Sequence, residues 1–586
     1  MVAKVGNKYM TLQFTYETQP PYDMLSFSEE PTAIGKRLGL AAHSYEIQPG
    51  PSSPRAIINR DGREVSFSTH DPSGRPLSIK GQFAGLSNTV VFSYDALKRV
   101  TGLAHTGGLG VSYNYDVADR LLSLTWSGGS SVSETLSRTA SGQIKQIVRE
   151  MGTFNYDYTP RNELALIAYS GSESLPTGYV NAAIAYDQAG NISSYGGRSF
   201  TSFDNFTTAA GTVSYVPDSD GLGRVRSMQT SSERKEFEYL PEGQLKKFTV
   251  YSASAGVLQR SAEYYYDGLG RRIAKILKVP GQSDVVVTYS HLGAEDRVIS
   301  AKLVKGSVSE EALYIDGQGI DEHLFEISTD TGLKRYARDH LSSVINSAAI
   351  GGKSVYGSFG EVLGTAPSVT SLSEPVTYAF TGREFDAETG FYYYRARYRD
   401  PVYGWLTKDP IGPLEGGDIN PYRYAGNNPV NFTDPLGLRL WYVDSESQAA
   451  LSGAVGQMMQ TSAGRQLLAQ LHNDTTTTYY INSIPGSSNA YQSGNSVYVD
   501  PGFHPTIQTD QGPQSATTLG ILSHELGHLT GSLDNGPGQM NNVNAYENPI
   551  TSPITGYNRT AYPLVDGQPA SGGNGNYGAG NGGSCH

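Results

Sequence analysis

Between about residues 55 and 280 the chain alternates apolar and polar positions in short runs. Examples are Thr89-Val90-Val91-Phe92-Ser93 and Lys235-Glu236-Phe237-Glu238-Tyr239. A period of two sends one face of each run to a core and the other to water, so these runs predict half-buried strands. One phrase recurs at the turns: an aromatic residue or His, Asp, three residues, then Arg or Lys and an apolar residue. Clear copies are Tyr94-Asp95…Arg99, Tyr115-Asp116…Arg120 and Tyr266-Asp267…Arg271. Degraded ones are His70-Asp71…Arg75, Tyr156-Asp157, Tyr186-Asp187…Asn191 and Asp220…Arg224. Asp satisfies turn amides while Arg reaches a neighbouring strand, and an irregular repeat of about twenty residues predicts stacked β-hairpins.

After residue 438 the period changes. Across 446–472, Leu451, Val455, Met458 or Met459 and Leu467-Leu468 follow a roughly helical spacing. Residues 475–484 and 496–500 read as strands. A second helix follows, with Leu519, Ile521, Leu522, Leu526 and Leu529 apolar, Ser515 a candidate N-cap and Gly531 a stop. The expected class is mostly β, a repeat sheet followed by a small α+β domain. The divisions are 1–54 (unassigned), 55–335 (β repeats), 336–438 (a motif-dense core), 439–566 (the α+β domain) and 567–586, a Gly/Asn-rich tail expected to be disordered.

Composition agrees. Among 586 residues, 68 Gly and 40 Tyr with only 17% charged residues suit many short strands and turns. A net charge of −12 argues against a nucleic-acid partner. The single Cys585 excludes an internal disulfide framework. No apolar run suffices for a transmembrane segment, and Met1-Val2-Ala3-Lys4 opens no Sec signal, so export is expected to use another route.

The sharpest chemistry is Ser523-His524-Glu525-Leu526-Gly527-His528, an HExxH motif. On a helix, His524 and His528 lie on one face and can share one Zn2+, with Glu525 as general base toward water. Two acids compete as third ligand. His524 to Asp534 fits HExxHxxGxxD, with Gly531 turning the chain and Met540 standing in for a Met-turn. Glu547 instead follows His528 at a spacing typical of zincins whose glutamate comes from a later helix. Glu547 is favoured, with Asp534 as the alternative.

The motifs of 336–438 carry a family resemblance. Asp339-His340-Leu341-Ser342-Ser343 is followed by Tyr356-Gly357-Ser358-Phe359-Gly360-Glu361 and by a long run from Phe380 through Arg395-Ala396-Arg397-Tyr398. Asp409-Pro410-Ile411-Gly412, Asn427-Asn428-Pro429 and Asp434-Pro435-Leu436-Gly437-Leu438 complete it. Residues 60–438 resemble the YD repeats and associated core of Rhs polymorphic toxins and of the C component of Tc toxins. The resemblance implies a spiralling β-sheet shell that holds a C-terminal cargo until delivery. This repeat region is short for the family, so an incomplete wall is expected, completed by a shell-closing or delivery subunit (a B component or a secretion spike). An immunity protein is a further implied partner.

The resemblance also implies self-cleavage between Leu438 and Arg439 by Asp409 and Asp434, acting as an aspartic-protease pair, with Arg397 beside them. Two close carboxylates share one proton, one serving as base and the other as acid. Arg397 stabilises the charged partner or the oxyanion. Asp-Pro-x-Gly by itself is only a good turn. Trp405 follows Gly404 directly, where the family has an intervening arginine, and the spacer between the two aspartates is longer than usual.

In the terminal domain, HELGH, Glu547-Asn548-Pro549-Ile550 and Arg559…Tyr562 together resemble NleD-like effector metalloproteases. That implies zinc-dependent cleavage of target-cell proteins, with stress-activated kinases as one substrate class and Arg559 and Tyr562 as oxyanion or substrate contacts. The expected function is a delivered toxin whose zinc endopeptidase acts in the target-cell cytosol. The alternative is a structural or adhesive YD-repeat surface protein with a non-catalytic binding domain. A nuclease or deaminase cargo is disfavoured by the acidic terminal domain and its lack of cysteine pairs. Residues 439–586 hold Arg439, Arg465 and Arg559 but no lysine.

Overall fold

The computed structural model describes most of residues 2–442 and 480–569, with short breaks throughout, and four single positions between them (451, 454, 458 and 467). Most strand residues before 63 are described by their backbone alone. Two antiparallel sheets of 16 and 15 strands follow strict sequence order, from Val2–Gly6 to Ala182–Ala183 and from Ala185–Tyr186 to Gly332–Arg335. Every strand pairs with its chain neighbours, as the alternating pattern predicts. The strip begins at Val2, so the unassigned residues 1–54 contribute strands to it.

The repeat phrase works as a turn lock. At Asp95 the carboxylate accepts from Arg99 N–H at 2.9 Å and from Arg99 Nε at 2.7 Å. Asp116 and Arg120 repeat this at 2.9 and 2.8 Å, and Asp267 and Arg271 at 3.0 and 2.7 Å. The preceding tyrosine donates back to a carbonyl of an earlier strand: Tyr94 to Pro76, Tyr115 to Val100, Tyr266 to Leu245. The arginine then reaches forward, Arg99 Nη1 to Asp116 O at 3.3 Å. One assignment shifts by two residues. Tyr158 rather than Tyr156 makes the backward bond, to Ile144 O, and Thr159 replaces the turn aspartate. Tyr156 points into the core instead.

The strip curls back on itself. Val65, Ile79, Phe92 and Leu124 share one apolar cluster with Ile273, Leu313 and Phe325. Arg335 Nη2 donates to Thr106 O at 2.6 Å. The described residues of 336–437 plug the space between the walls around a small antiparallel sheet, Glu384–Asp386, Phe391–Tyr394, Arg397–Asp400 and Gly404–Trp405. Tyr392 and Trp405 join the cluster of Leu136 and Ile167, Phe391 joins that of Phe237 and Phe248, and Tyr336 and Tyr378 join that of Val287. Buried ion pairs fix the plug's orientation: Lys275 Nζ lies 2.8 Å from Asp386 and 3.2 Å from Glu388. Removing one partner of such a pair typically costs about 3–5 kcal/mol, because the other charge stays buried.

The terminal domain's core takes in Leu436 of the plug beside its own apolar residues, and Ala396 packs against it. The domain's mixed sheet runs Trp441–Tyr442, Tyr480–Ser483, Ser496–Val499, Ala490–Ser493, parallel except for the last strand. Gly512–Ser515, Thr506–Thr509 and Arg559–Ala561 form a second, three-stranded sheet. Helix α1 (Thr518–Leu529) packs on Ser496–Val499 and Ala490–Ser493. Its N-cap is Thr517, which accepts from Gly520 N–H at 3.0 Å, and not Ser515, which ends a strand. A π-helical turn, Val543–Glu547, leads directly into helix α2 (Asn548–Thr555). Within 446–472 only Leu451, Ala454, Met458 and Leu467 are described; all four are helical and buried. Among the described residues no helix is long and apolar enough to cross a membrane.

Candidate active sites

The hairpin of Phe391–Tyr394 and Arg397–Asp400 carries Arg397 into the plug, where only 1% of its side chain is exposed. Its Nη2 lies 2.9 Å from Asp409 Oδ2 and 3.3 Å from Asp434 Oδ2. Residues far apart in sequence thus set two buried carboxylates on one nitrogen. One guanidinium faces both carboxylates in a buried enclosure, an arrangement in which one carboxyl can serve as base and the other as acid. Arg397 Nε also donates to Gly437 O at 2.6 Å, and Nη1 donates to Pro421 O at 3.0 Å. Trp405 stacks on the guanidinium, with Cζ 3.9 Å from its ring centre. Gly437 has φ +65°, and a Cβ there would stand 2.6 Å from Tyr394 O. That position therefore needs glycine. Leu438 and Arg439, which flank the expected cut, lie outside the described residues.

Helix α1 places His524 and His528 one turn apart and buries Ser523, His524 and Glu525. His524 Nδ1 meets Glu547 Oε2 at 3.1 Å, and His528 Nδ1 meets the Ser532 carbonyl at 2.9 Å. Both partners accept, so each Nδ1 donates, and in the neutral form of each ring the Nε2 keeps its lone pair. Those two Nε2 atoms face each other at 3.2 Å. Facing lone pairs repel unless a cation stands between them. A zinc ion bound at about 2.0–2.1 Å to each nitrogen with tetrahedral angles would separate them by about 3.3 Å. The histidine pair therefore fits the ion.

The acid sites are placed differently. Glu547 leaves the π-helical turn and stands on the Nδ1 side of His524, where Arg559 Nη1 also donates to its Oε2 at 2.9 Å. Arg559 is buried, and Asn548 holds its backbone at both N–H and carbonyl. Gly527 lies under Asn542, whose Oδ1 a Cβ there would meet at 2.3 Å, and Asn542 Nδ2 donates to His524 O. Asp534 and Tyr562 lie outside the described residues. Met540 is buried.

One further cluster escaped the sequence reading. Glu134, Asp339 and His340 are the one His/Cys/Asp/Glu trio, among the described residues, whose donor atoms lie within 4.8 Å of one another. Arg149 Nη2 stands 2.6 Å from Glu134 there, so the cluster is an ion-pair junction between wall and plug. The Asp339-His340 motif was the one available signal, but its partners come from strands two hundred residues earlier.

No family model matches the chain. Curated relatives do. A tRNA3(Ser)-specific nuclease WapA of Bacillus spizizenii is 30% identical over 203 residues, 33% of this chain and 8% of the relative. Toxin subunit YenC1 of Yersinia entomophaga is 28% identical over 288 residues, covering 43% of this chain and 28% of that one. Toxin protein Tse5 of Pseudomonas aeruginosa is 26% identical over 247 residues, 37% and 18% of the two chains. This chain thus spans only a fraction of each relative's length. Among solved structures, a Photorhabdus luminescens Tc holotoxin pore with the mutation TccC3-D651A superposes with a TM-score of 0.58 at 16% identity, covering 74% of this chain and 24% of that one. The relatives are Rhs- and Tc-type toxin proteins, and the fold is that of a Tc-type β shell.

Proposed function

We propose that this chain is a polymorphic toxin in which the β shell cuts itself after Leu438 and frees a zinc-dependent endopeptidase. The shared fold and the toxin relatives support the container. The carrying observation for the cargo is the 3.2 Å approach of the His524 and His528 Nε2 atoms, with each Nδ1 turned to an accepting oxygen on the far side of its ring. His524 and His528 would hold the ion, and Glu547, which meets the Nδ1 side of His524, is the acid assigned to the same site. Bound zinc supplies Lewis acidity toward water and a peptide carbonyl. Glu525, buried beside His524 on the same helix, would accept a proton from water at the site.

Self-cleavage is hydrolysis of the Leu438–Arg439 amide. The oxygen of water joins the Leu438 carbonyl carbon, the C–N bond breaks, and the Arg439 nitrogen takes a proton, leaving a carboxyl and an amine end. One of Asp409 and Asp434 accepts the water proton and the other donates to the leaving nitrogen. Arg397 supports this reading because it touches both carboxylates and the carbonyl next to the cleaved residue. A delivery or shell-closing subunit and a target-cell protein substrate follow as partners.

A nuclease cargo is the second reading, favoured by relatives named tRNA nucleases. Those matches cover only 4–8% of the relatives. The same comparisons also bring in toxin subunits and a salivary gland surface protein of Aedes aegypti, so what is shared is not one activity. The purified chain with zinc is to be incubated with casein, a kinase panel and tRNA. Proteolysis lost in Glu525→Ala supports the proposal; tRNA loss without proteolysis replaces it.

A further inference from the structure

Three consecutive residues at one hairpin tip hold three consecutive carbonyls of the segment that leads to the cut. Arg395 Nη1 donates to Pro435 O at 2.6 Å, Ala396 N–H to Leu436 O at 3.3 Å, and Arg397 Nε to Gly437 O at 2.6 Å. Arg397 is part of the proposed reacting centre. Arg395 is not, yet only 9% of its side chain is exposed and it is equally well anchored.

Its anchor comes from the shell wall. Asp321, next to strand His323–Ser328, accepts from Arg395 Nη2 at 2.9 Å and from Nη1 at 3.2 Å. Arg383 Nη1 donates to the same carboxylate at 2.6 Å. Both Arg395 and Asp321 sit at positive φ, +57° and +60°, a region that side-chain-bearing residues seldom adopt and that clusters where structure enforces function. Burial opposes charge on Asp321, but the two arginines outweigh it and hold the carboxyl below its ordinary value.

We propose that Asp321 and Arg395 are positioning residues for self-cleavage: Asp321, on the wall, fixes Arg395, which fixes the Pro435 carbonyl and so the register of the bond after Leu438. The inference rests on the self-cleavage reading and deepens it. Its consequence is an order of events. Arg395 gains its full set of partners only when the wall turn bearing Asp321 has docked on the plug, so cutting follows that docking. A segment lacking the Pro435 contact can slide or rotate by a fraction of an ångström, and such misplacement slows a positioned reaction steeply.

The test follows the full-length chain made by cell-free synthesis, sampled over time by intact mass across a range of pH. Arg395→Gln and Asp321→Asn are expected to cut at least about tenfold more slowly than wild type. Arg395→Lys, which keeps the charge and one donor, is expected to recover part of the rate. The pH midpoints of cutting are expected to stay at their wild-type values, because the reacting carboxylates are untouched. Thermal melting of each variant guards against misfolding. If Asp321→Asn fails to fold, the comparison of Arg395→Lys with Arg395→Gln still decides. Equal rates for Arg395→Gln and wild type, no recovery in Arg395→Lys, or shifted pH midpoints overturn the inference. A wild-type chain that never cuts overturns the self-cleavage reading together with it, whereas a cutting wild type beside an equally fast Arg395→Gln overturns this inference alone.

Discussion

Arg397 donates through Nε to the carbonyl of Gly437 at 2.6 Å, while its Nη2 faces both aspartates of the proposed dyad. One side chain therefore touches both acids and the backbone that leads to the proposed cut. Asp409→Asn and Asp434→Asn are expected to leave a single full-length chain. Arg397→Gln should slow cutting by about 10²–10³-fold, the usual effect of losing one donor to a developing charge. Intact mass of the purified chains reads all three; fragments meeting at Leu438 and Arg439 in Asp409→Asn would contradict the assignment.

The junction of wall and plug at Glu134 and His340 should respond to pH. His340 Nδ1 lies 3.0 Å from Glu134 Oε2, and Nε2 lies 3.2 Å from Val430 O. Burial disfavours the imidazolium, but Glu134 outweighs it and raises the His340 pKa above its ordinary 6.5. Burial likewise opposes the Glu134 carboxylate, and Arg149 and His340 overcome it, lowering its pKa. A raised histidine contributes stability that is complete below its unfolded pKa and lost as pH rises through the folded one. A lowered carboxylate contributes stability that is present above its unfolded pKa and lost in acid. The junction is therefore strongest between about 4.5 and 6.5, the two ordinary values, and loosens above. Thermal melts across pH should show a stability loss above neutrality in wild type that is absent in His340→Gln.

Much of this was legible in the chain because the signals are local. Period-two alternation fixed the hairpins, and the HExxH spacing fixed the face shared by His524 and His528. Asp409, Asp434 and Arg397 were legible only through a motif, since nothing local brings them together. Asp321 and Glu134 were invisible. Each acts across more than seventy residues of intervening chain, and neither sits in a phrase that differs from an ordinary strand end. The Tyr156 register failed for a simpler reason: Tyr156 and Tyr158 share the same strand parity, and only the turn that follows tells them apart.

The acid that serves as third ligand of the proposed metal site should show in metal affinity. Zinc competition titrations on the freed cargo are expected to give a large loss for Glu547→Ala and a smaller one for Asp534→Ala. Arg559→Ala should weaken binding by about 10–100-fold, the usual effect of removing a partner that orients a site residue. A loss confined to Asp534→Ala would make the domain metzincin-like instead.

A lysine-free cargo offers no side-chain amine for ubiquitin, so its lifetime in a eukaryotic cytosol is expected to be long. Thr506 and Gln511 are exposed positions in the described part of the domain. Thr506→Lys with Gln511→Lys should shorten the cargo's half-life in eukaryotic cells, measured by chase after expression; an unchanged half-life would assign the missing lysines to composition alone.

Metal content tests the central claim most directly. The full chain, purified without chelator and dialysed against trace zinc, is predicted to hold one zinc per chain by mass spectrometry of its metals. His524→Ala with His528→Ala should hold none and still melt as a folded shell. A wild-type chain without stoichiometric zinc, or a double variant that retains it, would contradict the account.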